Sequence, residues 1–310
     1  MNKEYFDFFG EKDMVYTAVI WLPEDKPKSV LQIVHGMTEH IERYERLAEV
    51  LTAKGIAVAG YDLRGHGRNS PHTDCASFGE GGWELSIREI HQFHGILKAR
   101  FLEAEHYIMG FSLGSFLLRE YFSTYNGENI AGAIIMGTGQ QPPLLLSLIM
   151  RIVKGQIKKA GFDVSTDLVR NLSFGTYNKK FSPVHTRADW LCSDPAELDK
   201  YLTDDLCKAD ISAGLFWQLL DAMKRLYDCN TYLKWKKELP VLLLSGGCDP
   251  VGDAGKGVKL VCNAMKKSGL QKVSMKLYSN GRHDILHEEA SGIAMEVRIE
   301  ITNWILGESR

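Results

Sequence analysis

A chain of 310 residues exceeds one minimal core and fits either one large α/β domain with an insertion or two domains. Its 45% hydrophobic and 25% charged residues are those of a soluble globular protein, and 37 Lys plus Arg against 39 Asp plus Glu give a formal charge of −2, with no basic field for nucleic acid. No apolar run approaches the roughly 20 residues that span a bilayer, Met1-Asn2-Lys3-Glu4 lacks the layout of a signal peptide, and six scattered cysteines (Cys75, Cys192, Cys207, Cys229, Cys248, Cys262) form no Cys-x-x-Cys pair. These features predict a cytoplasmic protein with free thiols, no metal and no cofactor.

In chain order, Tyr5 to Phe9 and Val15 to Trp21 alternate as a short antiparallel hairpin turning near Gly10 to Asp13. Ser29 to Val34 reads as a buried strand ending at His35-Gly36. A helix is predicted from Ile41 to Lys54, followed by the strand Ile56 to Tyr61 and the loop Asp62 to Ser70. Trp83 to Phe101 has helical spacing, Tyr107 to Met109 is a strand, and a second helical pattern runs to about Tyr125 before the strand Ile130 to Met136. Strand and helix alternate in this half, which predicts right-handed crossovers and a parallel sheet. The rhythm breaks after Gly139. Residues 140–237 hold helix-like segments and no convincing buried strand; then come the strand Val241 to Ser245, a helix at Gly257 to Lys267, the strand Val273 to Tyr278 and a helix to Trp304. The expected organisation is a core of residues 1–139 and 238–310, a mostly parallel sheet flanked by helices, with residues 140–237 inserted as a helical cap.

Between strand and helix lies Gly110-Phe111-Ser112-Leu113-Gly114. Gly-x-Ser-x-Gly in that context predicts a tight turn that pushes the serine hydroxyl out at the carboxyl edge of the sheet, because the glycines let strand and helix approach closely. The bare string is also compatible with an ordinary surface turn, so its partners decide. A serine hydroxyl needs a base, and the base needs a third group to orient it. The last two strands deliver Gly247-Cys248-Asp249-Pro250 and Gly281-Arg282-His283-Asp284, in the order serine, acid, histidine. The assignment is Ser112 as nucleophile, His283 as base then acid, and Asp249 as orienting carboxylate. Asp253 competes with Asp249 but lies nearer the next helix; His287 competes with His283 but is expected to be already helical. His35, His40 and His66 precede the serine. Acyl transfer also needs N–H donors for an oxyanion, and the candidates are the backbone amides of Leu113, at the helix start, and Met37, in the loop His35 to His40.

His35-Gly36-Met37-x-Glu39-His40, Asp62-x-Arg64-Gly65-His66-Gly67-x-x-Ser70, Gly110-Phe111-Ser112-Leu113-Gly114, Asp249-Pro250-Val251 and Gly281-x-His283 together resemble the α/β-hydrolase branch of monoacylglycerol lipases and lysophospholipase-like serine hydrolases. The resemblance covers both halves of the core, while the cap matches in position and length, with a weaker likeness around Asp189-Trp190-Leu191. It implies an α/β-hydrolase fold with an inserted cap, a serine esterase acting through an acyl-enzyme on a monoacylglycerol, lysophospholipid or similar small lipid-like ester, and a structural role for the loop at Arg64 to Gly67.

In the cap, Leu144, Leu145, Leu146, Leu148, Ile149, Ile152, Val153 and Ile157 stand beside Arg151, Lys154, Lys158 and Lys159. The preferred reading packs this apolar face on the core to line an acyl pocket; the other lays it on a membrane surface. Phe174, Phe181, Trp190, Leu215, Phe216, Trp217 and Leu220 are further candidates for an apolar wall near Ser112. A rival function is a prolyl-aminopeptidase-like hydrolase, using acids among Asp189, Asp194, Glu197, Asp204 and Asp205 to hold an ammonium group. A third is a non-catalytic binding protein of the same fold. Oligomeric state has no signature in the chain.

Overall fold

The computed structural model describes residues 1–70 and 75–308. An eight-stranded sheet forms its centre, built from β1 (Asn2–Phe9), β2 (Val15–Leu22), β3 (Ser29–Val34), β4 (Ile56–Tyr61), then, omitting the two-residue β5 (Cys75–Ala76), β6 (Glu105–Phe111) and β7 (Gly132–Met136). After the two-residue β8 (Asp210–Ile211), β9 (Val241–Gly246) and β10 (Val273–Tyr278) complete it in the order β1-β2-β4-β3-β6-β7-β9-β10. The β1–β2 hairpin and the β2–β4 pairing are antiparallel, and the other pairings of this sheet are parallel.

Strands β3, β4, β6, β7 and β9 are apolar along most of their length because both faces are covered. On one face lie α1 (Glu45–Thr52) and α9 (Ile293–Ile305), whose Leu47, Leu51, Val297 and Ile301 pack on Leu31, Val58, Met109 and Leu242. On the other lie α2 (Gly82–Arg100), α3 (Leu113–Tyr125) and α8 (Lys256–Lys267), with Phe93, Leu117 and Val261 against Val30, Ile108 and Leu243. The register sets Gly110 opposite Val34 and Ile135, so the turn after β6 emerges mid-sheet.

Three local expectations are corrected. The helix expected from Ile41 starts as a 3-10 turn over Ile41–Tyr44 and becomes α-helical at Glu45, since the Ile41 amide is donated sideways to Asp62 (2.8 Å). His287 is not helical; α9 starts at Ile293 after Gly292, whose φ of +77° breaks any earlier helix. The stretch 140–237 does hold a strand: β8 pairs with β5 in parallel, and a two-residue bridge is too short to leave a periodicity.

The neighbouring strands β7 and β9 are joined by that stretch, which carries α4 (Pro143–Ala160), α5 (Asp167–Ser173), α6 (Pro195–Thr203) and α7 (Ala213–Arg225). Helix α4 packs along α7 through Leu146 and Val153, but Leu144, Leu145, Leu148 and Ile152 are exposed, Leu144 at 86%. Of the preferred reading of α4, only the inward packing of its inner edge holds.

His35, His66 and His94 are buried, and burial holds each imidazole down to about 4. An unfolded histidine titrates near 6.5, so between those values the unfolded chain binds more protons and stability rises with pH. Urea unfolding should therefore show ΔG falling steadily from pH 7 to pH 5, by up to about 1.4 kcal/mol per pH unit for each histidine. A flat profile over that window would contradict neutral burial of all three.

Candidate active site

The sharp turn between β6 and α3 has one strained residue. Ser112 sits at φ +49°, ψ −116°, outside the regions that L-residues favour, at the N-cap of α3. Its amide donates to Met136 O (2.9 Å) and its carbonyl accepts from the Ser115 amide (2.9 Å) and hydroxyl (2.6 Å), so sheet and helix both hold it. The flanking glycines are needed for close approach. A Cβ on Gly114 would stand 2.1 Å from Val34 O, and one on Gly110 2.4 Å from Gly114 O.

His283 follows β10 and points its Nε2 at the Ser112 Oγ, 2.8 Å away. Phe111 and Trp190 pack against the imidazole at a tilt, with ring centres 4.9 and 5.1 Å away. On the opposite nitrogen, Nδ1 lies 2.9 Å from Asp249 Oδ1, yet it makes no aligned hydrogen bond. A close but poorly aligned contact of this kind tightens when a substrate engages the histidine. Asp249 is wholly buried and anchored by the Val251 amide (2.8 Å) and Ser245 hydroxyl (3.3 Å). Ser112, His283 and Asp249 are thus brought together. Asp253 is not: it is half exposed, facing Lys180.

The loop after β3 carries Met37 and Thr38 to the same place, and both line the cavity with Ser112 and His283. Thr38 is left-handed (φ +54°), so the chain doubles back beneath the cavity floor. Glu39 fixes the bend, its Oε1 accepting from the Gly36 amide (2.5 Å) and the Tyr44 hydroxyl (2.8 Å). Below it, His35 Nε2 accepts from the Leu63 amide (2.8 Å), so its proton sits on Nδ1 and is donated to Gly36 O (2.7 Å). Leu113 occupies the first position of α3, where the helix has no acceptor to offer its amide.

A second set of residues was not legible in advance. The Arg43 side chain, 9% exposed, donates to Glu39 (3.0 Å) and Asp284 (2.8 Å) and so bridges the Met37 loop to the His283 loop. His287 joins them, with Nδ1 2.8 Å from Asp284 and Nε2 3.2 Å from Arg43 O, which explains why it does not reach Ser112. Burial opposes the charge on Asp284, but His287 and Arg43 outweigh it and hold the carboxyl well below the usual range. Arg43 and Asp284 are 241 residues apart, so no local pattern reports them. The other early histidines are structural: His66 sits against Arg64 O and His40 against Asp204 (2.8 Å). His40, Asp204 and Cys207 bring one ligand-type atom each within 4.8 Å, but the first two already pair and burial pushes the Cys207 thiol up, away from a metal-binding thiolate.

The cavity above Ser112 measures about 370 Å³. Phe174, Trp190, Leu191, Ala209 and Ile211 supply apolar wall; of the other aromatic and aliphatic candidates, Phe181 covers the Arg282 guanidinium at 4.4 Å, while Leu215, Phe216, Trp217 and Leu220 pack into the core. No residue of α4 lines it.

A serine on the turn out of a central strand, with acid and histidine after the last two strands of a mostly parallel sheet, defines the α/β-hydrolase class. Comparison with known proteins agrees. Residues 25–290 match the family described as serine aminopeptidase, S33 (Hydrolase_4). Rat monoglyceride lipase is 24% identical over 290 residues, covering 92% of this chain and 84% of that protein, and the human monoglyceride lipase is 27% identical over the same shares. A thermostable carboxyl esterase from Bacillus coagulans, crystallised with glycerol, superposes with a TM-score of 0.86 at 24% identity, covering 99% of both chains. The chain belongs to this α/β-hydrolase family, in its monoacylglycerol-lipase-like branch of serine ester hydrolases.

Because the clash at Gly114 is with backbone, Gly114→Ala should force strand and helix apart. Its expected cost is about 1–3 kcal/mol in chemical denaturation, with a larger proportional loss of ester turnover as the Ser112 hydroxyl leaves His283. Unchanged stability and turnover would show that the close approach is dispensable.

Proposed function

We propose that this protein cleaves a small lipid-like ester, such as a monoacylglycerol or lysophospholipid, through an acyl-enzyme, with Ser112, His283 and Asp249 as its catalytic triad. The observation that carries this reading is the 2.8 Å contact from His283 Nε2 to Ser112 Oγ at the floor of a largely apolar cavity. In this mechanism His283 takes the hydroxyl proton as Oγ attacks the ester carbonyl, and the Met37 and Leu113 amides receive the oxyanion. His283 then gives the proton to the departing alcohol. Water, deprotonated by the same nitrogen, releases the carboxylic acid and restores the serine. Asp249 orients the imidazole and stabilises its charged form. Residues 140–237 act as a cap that supplies the apolar wall, and a cavity of this volume suits one small ligand.

The aminopeptidase alternative needs a carboxylate free to hold an ammonium group. Asp189 is taken by Thr186 and His185, Asp194 by the start of α6, Glu197 by Arg46 and Lys200, Asp204 by His40, and Asp205 by Lys208. This favours the ester. A purely binding role is disfavoured by a triad with no member missing. The scattered cysteines support a cytoplasmic location, and among the described residues no helix is long and apolar enough to cross a membrane.

Ser112→Ala should abolish hydrolysis of 4-nitrophenyl acyl esters and labelling by a fluorophosphonate probe, while wild type should ignore amino-acid anilides. Retained turnover in the variant, or a preference for anilides, would overturn the assignment.

The exposed Leu144, Leu145, Leu148 and Ile152, beside Arg151, Lys154, Lys158 and Lys159, support transient contact of α4 with an anionic lipid surface. Leu148→Glu should then weaken co-sedimentation with phosphatidylglycerol vesicles at least severalfold while leaving hydrolysis of a water-dispersed short-chain ester intact. Equal sedimentation of variant and wild type would dismiss the contact.

A further inference from the structure

The charged side chains that line the cavity form an uneven set. Glu39 pairs with Arg43, Asp284 with Arg43 and His287, Arg170 with Asp167 and Asp210, and His283 with Asp249. Arg187 is the exception: it lines the cavity, is exposed to water, and among the described residues has no ion pair or hydrogen bond.

Its position is fixed although its guanidinium is free. Asn178 donates to Thr186 O (2.8 Å) and accepts the Trp190 amide (2.7 Å), while Asp189 accepts the Thr186 amide (2.9 Å). Thr186 is therefore held, as is Ala188, whose amide donates to Thr186 Oγ1 (3.1 Å) and whose carbonyl accepts from the Leu191 amide (2.8 Å), and Trp190 packs on His283. Between Asp167 and Asp189 the sequence carries Arg170, Lys179, Lys180 and Arg187 and no acid; Arg170 faces Asp167 and Asp210, and Lys180 faces Asp253, which leaves Arg187 as the cation of the lining without a carboxylate partner among the described residues. Asn171 adds an amide to the same lining.

A guanidinium presents a fork of donors that matches phosphate or carboxylate oxygens. The cavity thus offers both apolar wall for an acyl chain and one unpaired fork for an anion. We infer that this hydrolase selects esters whose alcohol part bears a negative charge, a phosphate or a carboxylate, which Arg187 binds while the acyl carbonyl meets Ser112. The inference rests on the ester-hydrolase reading and narrows its substrate class.

The test compares octanoyl esters of glycerol, glycerol 3-phosphate and glyceric acid, with the full chain at 50 mM salt. The ratio of kcat/KM for each anionic ester over the glycerol ester should be about tenfold or more, the equivalent of one charge-assisted hydrogen bond, and should shrink at 500 mM salt. The phosphate and carboxylate arms show which anion fits better. Arg187→Gln should bring the ratio to near one and Arg187→Glu should invert it, whereas Lys179→Gln, on the same loop but outside the lining, should move it less than twofold. Turnover of the glycerol ester without anionic preference, or a ratio that Arg187→Gln leaves unchanged, overturns this inference alone. Failure to hydrolyse all three esters, with no fluorophosphonate labelling, overturns the hydrolase reading and this inference with it.

Discussion

The backbone of one residue governs the rest of this molecule. Ser112 is held at φ +49°, ψ −116° between β6 and α3, a conformation that costs about 1–3 kcal/mol and persists only where surroundings over-determine it. Those surroundings are the sheet itself. Strand β6 lies between β3 and β7, and Met136 O takes the Ser112 amide, so the turn cannot relax without disturbing the central strands. The fully buried Ile108, Met109 and Leu117 provide the apolar burial that offsets the strain.

A strained serine is useful only if its partners share one frame. His283, Asp249 and Met37 come from three separate loops, each of which would wander alone. Arg43 removes that freedom for two of them by joining Glu39 to Asp284 in a site closed to solvent. Breaking such a buried pair by removing one partner generally costs about 3–5 kcal/mol, because the other charge is left uncompensated. The cation under the site thus works as a brace, and the tilted ring contacts of His283 with Phe111 and Trp190 add to the alignment.

Much of this was legible in the sequence, for physical reasons that also mark the limits. Strands such as Val241 to Ser245 announce themselves because sheets covered on both faces need continuous apolar runs. That Ser112, Asp249 and His283 would come together was legible because a parallel sheet carries the residues that follow its strands to one edge. The distribution of α4 was not. Its apolar residues exceed what α7 can cover, and hydrophobic spacing alone does not say how wide a face its neighbour will bury. His287 was misjudged because Gly292, not a helix pattern, sets where α9 starts. Arg43 and Arg187 stayed hidden for a common reason: the meaning of a charge lies in its partner, and partners hundreds of residues away, or absent, leave no local trace.

The turn at residues 189–194 is laced to the histidine loop along its length. The His283 and Asp284 amides donate to Trp190 O (3.3 Å) and Leu191 O (2.7 Å), Arg282 donates to Asp189 O and Cys192 O, Glu288 takes the Ser193 amide (3.1 Å), and Asp194 takes the Ala290 amide (2.9 Å). In lineage terms, the two stretches make one heritable unit. A chimera that exchanged residues 140–237 between relatives would carry off half of the scaffold around His283. From residue 189 to residue 194, change in one stretch is licensed only by matching change in the other.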